Sequence, residues 1–254
     1  MTVALIARNT YREATRDRVL AGMTIAGVAF LVGVQGLTPL ALGEGKRLVV
    51  DLGLSAISML GLLVVLMVGT SLVAKEIERR TIFTLLSRPI ARPTYLVGKW
   101  AGLAGSVCTI AALLGLAPWL VLCVRGQASW GAAVLQATYL AALELAVITA
   151  VAVMFSALST PVLSALYTLG LYCAGQWSYD LRTLAAQFPP GLRAIIEALT
   201  NLMPNLPLFN MRELASEGLT TSPLHLGIAT AYAALYCGCV LALASAAFES
   251  RDFK

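Results

Sequence analysis

The chain holds few side chains suited to covalent or acid–base chemistry. His225 is its single histidine, and neither H-E-x-x-H nor G-x-S-x-G occurs. A zinc-activated water and a strained nucleophile elbow are therefore both missing, which makes an intramembrane enzyme the weakest reading. Gly45-Lys46 and Gly98-Lys99 end like a phosphate-binding loop, but each lacks the first glycine of G-x-x-x-x-G-K-[ST]. No backbone cradle for nucleotide phosphates is expected, and no cofactor or metal on this chain. Cys237-x-Cys239 has soft ligands suited to copper. Residues two apart on a helix point about 200° apart, so the pair reads as packing residues. Cys108, Cys123 and Cys173 also fall in apolar runs, and five buried cysteines make no disulfide framework.

Three charged features are more informative. Glu144 stands alone in a long apolar stretch. A carboxylate there must face the protein interior, be paired or be protonated. It either lines a substrate path or hydrogen-bonds a neighbouring helix. Arg8, Arg12 and Arg16 recur every four residues and form a basic row beside a weak apolar stripe of Val3, Ala7, Tyr11 and Ala14. This pattern fits a helix lying at anionic headgroups, or a plain basic tail that fixes topology. Segment 75–95 begins as a charged helix with Glu76, Glu78, Arg79 and Arg80. It continues with the apolar Ile77, Ile82, Phe83, Leu85 and Leu86, until Pro89 and Pro93 turn the chain. It suits docking of a cytoplasmic partner, or a topogenic loop resting on lipid.

The elements that position these residues follow from composition. Apolar residues make up 59% of the 254 and charged residues only 12%, against about 45–50% and 25% in soluble domains. Mean hydropathy is +0.82. That leaves too little charge to clothe a soluble surface. The basic balance, net +5, is explained by a membrane rather than by nucleic acid. Long runs without charge predict spans, since about 20 apolar residues cross a hydrocarbon core. Six are expected: 19–43, 52–74, 97–124, 131–155, 162–179 and 224–248. The fourth and fifth divide at the turn signal Ser156-Ala-Leu-Ser159-Thr160-Pro161. The run at 19–43 is too long for the 7–15-residue core of a cleaved signal peptide.

Basic residues set the orientation. Twelve of the 18 fall in 1–18, 75–99 and the C-terminal tail. The remaining six, Lys46, Arg47, Arg125, Arg182, Arg193 and Arg212, share their side with six acids. The positive-inside rule places both termini in the cytoplasm, which an even span count also requires. Connection 180–223 on the outer side is too charged to span and too apolar for a free linker. It predicts short helices on or in the outer leaflet. The fold class expected is all-α and polytopic in one permease domain, 1–254, with residues 1–18 as an interfacial helix.

Segment 75–99 carries a specific likeness. Glu76-x-Glu78-x-x-Thr81-Ile82-x-x-Leu85-Leu86-Ser87-x-Pro89-Ile-x-Arg92-x-x-x-Leu96-x-Gly98-Lys99 resembles the signature of ABC exporter permeases of the second type. It is most similar to the branch for multi-copper enzyme maturation, including nitrous oxide reductase. The ending Phe248-Glu-Ser-Arg251-Asp252-Phe253 and the basic helix before the first span are similar to that family too. Arg80 stands where many members have glycine. The resemblance implies a half-transporter that pairs as a homodimer in a bacterial cytoplasmic membrane. Each copy is bound to a separate ATP-binding cassette subunit that carries ATP and Mg. It also implies that Glu76, Glu78, Arg79, Arg80, Thr81, Ile82, Leu85, Leu86, Ser87, Arg88, Pro89 and Arg92 form the coupling helix. The branch adds an outer-side protein partner.

An ion-coupled transporter or channel without an ATPase is the main alternative. It would be expected to show internal repeats and several intramembrane charges, whereas this sequence has no repeat and one intramembrane acid. Under the exporter reading the substrate is lipid-like, a peptide or a small hydrophobic molecule.

Overall fold

A computed structural model describes residues 2–38, 44–71 and 92–249, and among these every regular element is helical. Helices are what lipid demands, because each one satisfies its own backbone hydrogen bonds. The order is α1 (Thr2–Thr15), α2 (Arg18–Leu37) and α3 (Gly45–Val64), which continues as a π-helical turn, Val65–Gly69. After the undescribed 72–91 come α4 (Arg92–Val124), α5 (Gly131–Leu158) and α6 (Pro161–Gln176). The chain ends with α7 (Ser178–Ala185), α8 (Pro190–Leu202), α9 (Arg212–Ser216) and α10 (Pro223–Glu249). The short 3₁₀ turns Ala128–Trp130 and Leu206–Phe209 lie between.

Among the described residues five helical stretches are long and apolar enough to cross a membrane. They are Arg18–Gly36, Gly45–Gly69, Pro93–Val124, Gly131–Leu158 and Pro223–Ala247. α6, in the place of the expected span 162–179, has 16 residues. That is about 24 Å at 1.5 Å per residue, short of a core about 30 Å thick.

Local chemistry sets several boundaries. Asp17 caps α2, its carboxylate accepting from the Val19 amide at 2.8 Å. α5 stops at Leu158, Thr160 is extended, and Pro161 opens α6, where its missing N–H costs nothing. Pro93 behaves the same way. It was expected to turn the chain ahead of a helix from 97, but it sits in the first turn of α4. α3 likewise runs from Gly45, ahead of the expected apolar start at 52. An apolar run marks where hydrocarbon sits, whereas the hydrogen-bond ladder continues past it.

α5 is the centre. In its most apolar stretch 72% of residues are buried, against 22–50% for the other four, and α3, α4, α6 and α10 all pack on it. Ala133, Ala137, Ala141, Ala150, Ala152 and Ala157 keep its surface low enough for neighbours on every side. Polar groups fasten the contacts. The Trp100 indole donates to the Ala146 carbonyl at 3.1 Å, and the Ser156 hydroxyl to the Thr70 carbonyl at 2.7 Å.

Candidate functional site

Three helices each contribute one face to a polar cavity of about 250 Å³. Leu54 and Ser58 are four apart on α3, Ala137, Ala141 and Glu144 follow helical spacing on α5, and Tyr172 and Gln176 are four apart on α6. The space exists because Ser58, Ala137 and Ala141 are small. The roof is the stretch Phe209-Asn210-Met211-Arg212. It is anchored by the buried side chains of Leu206 and Phe209 and by a hydrogen bond from the Asn205 amide to the Tyr232 hydroxyl at 2.8 Å. The last third of connection 180–223 thus packs into the helix bundle. Only α7 and α8 remain as short helices of the kind expected on lipid.

Glu144 is 4% exposed. One carboxylate oxygen accepts from the Gln176 amide at 2.5 Å, and that same amide nitrogen donates to the Tyr172 hydroxyl at 3.1 Å. A charge at mid-span costs about 2.5–3.5 kcal/mol, and one hydrogen bond to a charged group returns about 1.5–3 kcal/mol. The Gln176 bond works against that cost, and the guanidinium of Arg212 lines the same cavity. Arg212 Nε lies 4.0 Å from Asp51 Oδ1 and is buried without a hydrogen-bond partner. Arg47 and Glu217 pair at 3.8 Å beside it, so two ion pairs join the start of α3 to the α9 region. Glu144 thus bonds a neighbouring helix and lines a cavity. The sequence singled out Glu144 but not its partners. Gln176 was visible as a lone amide near the end of an apolar run, whereas nothing local marked Arg212.

A second polar seam lies between α1 and the start of α4. A Cβ on Gly98 would meet Ile6 at 2.8 Å, and one on Gly102 would meet the Ala7 carbonyl oxygen at 2.5 Å and Thr10 Cβ at 2.6 Å. The Gly98-x-x-x-Gly102 spacing therefore opens a groove for α1. Tyr11 and Thr109 share a hydrogen bond of 3.2 Å, and the buried Lys99 ammonium lies 3.7 Å from the Glu13 carboxylate. Thr10 and Ala14 are buried, and Arg8, Arg12 and Arg16 lie on the exposed face. The apolar side expected on lipid is occupied mainly by protein.

Of the other anticipated residues, Glu76, Glu78, Arg79, Arg80, Thr81, Ile82, Leu85, Leu86, Ser87, Arg88 and Pro89 lie outside the described residues. Arg92 is the first residue of α4.

The five long apolar helices among the described residues define a polytopic α-helical membrane protein. Residues 4–253 match the family described as ABC-2 family transporter protein, and the chain belongs to that family. It is accordingly a membrane permease subunit of an ATP-binding cassette transporter, and the family works with an ATP-binding cassette ATPase. No curated protein matches the chain.

Proposed function

We propose that the chain is one of two identical permease subunits, each seated on a cassette ATPase through segment 75–91. ATP and Mg reside on the ATPase, and its closure drives the permeases against each other. The observation that carries the reading is the family match over nearly the whole chain. The mechanical route is short. In the chain, segment 72–91 is flanked by α3 with its π-helical turn and by α4, and both helices pack on α5. α3 also carries Leu54 and Ser58 at the cavity. In this reading a push on the segment is carried by α3 to a wall of the cavity.

In this reading the chain crosses a bacterial cytoplasmic membrane six times, with α6 as the short crossing and both termini inside. Exposed Trp177 and Tyr179 follow α6 as interfacial anchors. The exposed stripe Leu192, Ile195, Leu199 and Leu202 seats α8 on the outer leaflet. The arginine row of α1 faces the inner headgroups. The likeness of 75–99 to the multi-copper-maturation branch supports delivery of the motion to an outer-side protein as well.

The test is Leu85→Asp or Leu86→Asp. Both lie outside the expected spans, so insertion should be normal. Loss of a buried leucine contact costs about 2–5 kcal/mol, and a carboxylate in an apolar cleft adds to that. Affinity for the ATPase should fall about a hundredfold or more, since each 1.4 kcal/mol is tenfold. Co-purification of the ATPase and ATP hydrolysis by the reconstituted complex measure it. Arg92→Ala should be milder, because a rim charge acts mainly on association rate. Variants that insert, retain the ATPase and hydrolyse ATP like the parent would make 75–91 a topogenic loop.

A further inference from the structure

We infer that the cavity between α3, α5 and α6 binds a small zwitterion, a molecule carrying one ammonium and one anionic oxygen group. The inference rests on the transporter reading for its purpose, though not for its chemistry. A buried carboxylate and a guanidinium line the same cavity. The hydrogen bond that Glu144 accepts comes from the neutral Gln176 amide, and among the described residues Arg212 lines the same cavity without an ion pair to it. An ammonium at that wall pairs directly with the carboxylate. Arg212 presents the opposite feature, a buried Nε without a hydrogen-bond partner and an ion pair to Asp51 stretched to 4.0 Å. A carboxylate or phosphate oxygen satisfies that donor in a charge-assisted bond. A singly charged ligand meets only one of the two groups and forgoes the contact with the other, which is how a polar site rejects analogues.

The size agrees. About 250 Å³ holds about eight waters at about 30 Å³ each, which is room for an amino acid or an aminoalkyl phosphate but not for a lipid tail. Met211, Phe209 and Leu54 add an apolar side for a short carbon linker. The same chemistry is available from a free solute and from a phosphatidylethanolamine headgroup.

The experiment uses the full chain in phosphatidylglycerol nanodiscs, with labelled O-phosphoethanolamine as the probe. Saturable binding is expected, weakened tenfold or more by Glu144→Gln and, separately, by Arg212→Gln. Ethylamine and inorganic phosphate should each compete at least tenfold more weakly than unlabelled probe. In a second arm, nanodiscs containing phosphatidylethanolamine replace the first set. Loss of probe binding there identifies the lipid headgroup as the ligand, and unchanged binding identifies a free solute. Glu144→Gln keeps a hydrogen-bonding group for Gln176, so it should remain monodisperse in size-exclusion chromatography. If it does not, Arg212→Gln decides alone. Absence of saturable binding in both arms, or variants that bind like the parent, overturns the proposal. ATPase co-purification is read on the same preparations, so a failed zwitterion site and a failed transporter reading give different results.

Discussion

Gly102 and Gly22 show how much a single missing Cβ matters. Both lie in apolar helices, yet a methyl at Gly22 would meet nothing within 4 Å, whereas at Gly102 it would strike the Ala7 carbonyl. Backbone cannot rotate aside as a side chain can, so Gly102→Val must push α1 off α4. Overpacking of this kind costs about 1–3 kcal/mol, which raises the population of the detached helix roughly 5- to 150-fold at 1.4 kcal/mol per tenfold. Trypsin should cleave at Arg8, Arg12 and Arg16 correspondingly faster in the variant, because a helix is cut from its opened state. Gly22→Ala should cleave at the parent rate. Equal rates for all three proteins would mean that α1 is not held by the glycine groove.

At the scale of elements, α6 is the decisive helix. Its 16 residues are short for a full crossing, but a short span is accommodated by local thinning of the bilayer and by flanking anchors. Trp177 and Tyr179 stand where such anchors are needed. Reporter insertions should read inside at Ser159 and outside at Asn205, with Gln127 outside and Ile90 and Lys254 inside. Ser159 and Asn205 on the same side would make α6 re-entrant and place the two chain termini on opposite faces. Lys46, which the sequence suggests as another outer site, lies in the first turn of α3 with its ammonium 5.7 Å from the Trp130 ring. The turn at Gln127 is the gentler position.

For the whole molecule the unit of function is the assembly. The chain lacks a phosphate loop and its family works with a separate ATPase. A dimer of permeases carrying two ATPases is therefore the expected mass of the detergent-solubilised complex in native mass spectrometry, after co-expression with the cassette ATPase. A stable single permease without ATPase would remove the mechanical route from segment 75–91 to the cavity.

Some of this is local enough to be legible in the sequence. Crossing length is a property of one continuous run, so the long apolar helices that begin at Arg18, Gly45, Arg92, Gly131 and Pro223 were visible before any packing was known. The Ser159-Thr160-Pro161 break was equally plain, because proline chemistry acts on its own residue and its neighbours. Glu144 stood out because a charge among apolar residues needs no alignment to be conspicuous. Its partners did not, since Gln176 sits 32 residues away and Arg212 reaches the cavity only because Leu206 and Phe209 draw the connection into the bundle. The destination of α1 was undecided for a related reason. Lipid tails and a helix face are about equally apolar, so periodicity shows that Ala7 and Ala14 seek an apolar surface without saying which. Only the depth of the groove at Gly98 and Gly102, a matter of tertiary shape, turned that helix onto α4.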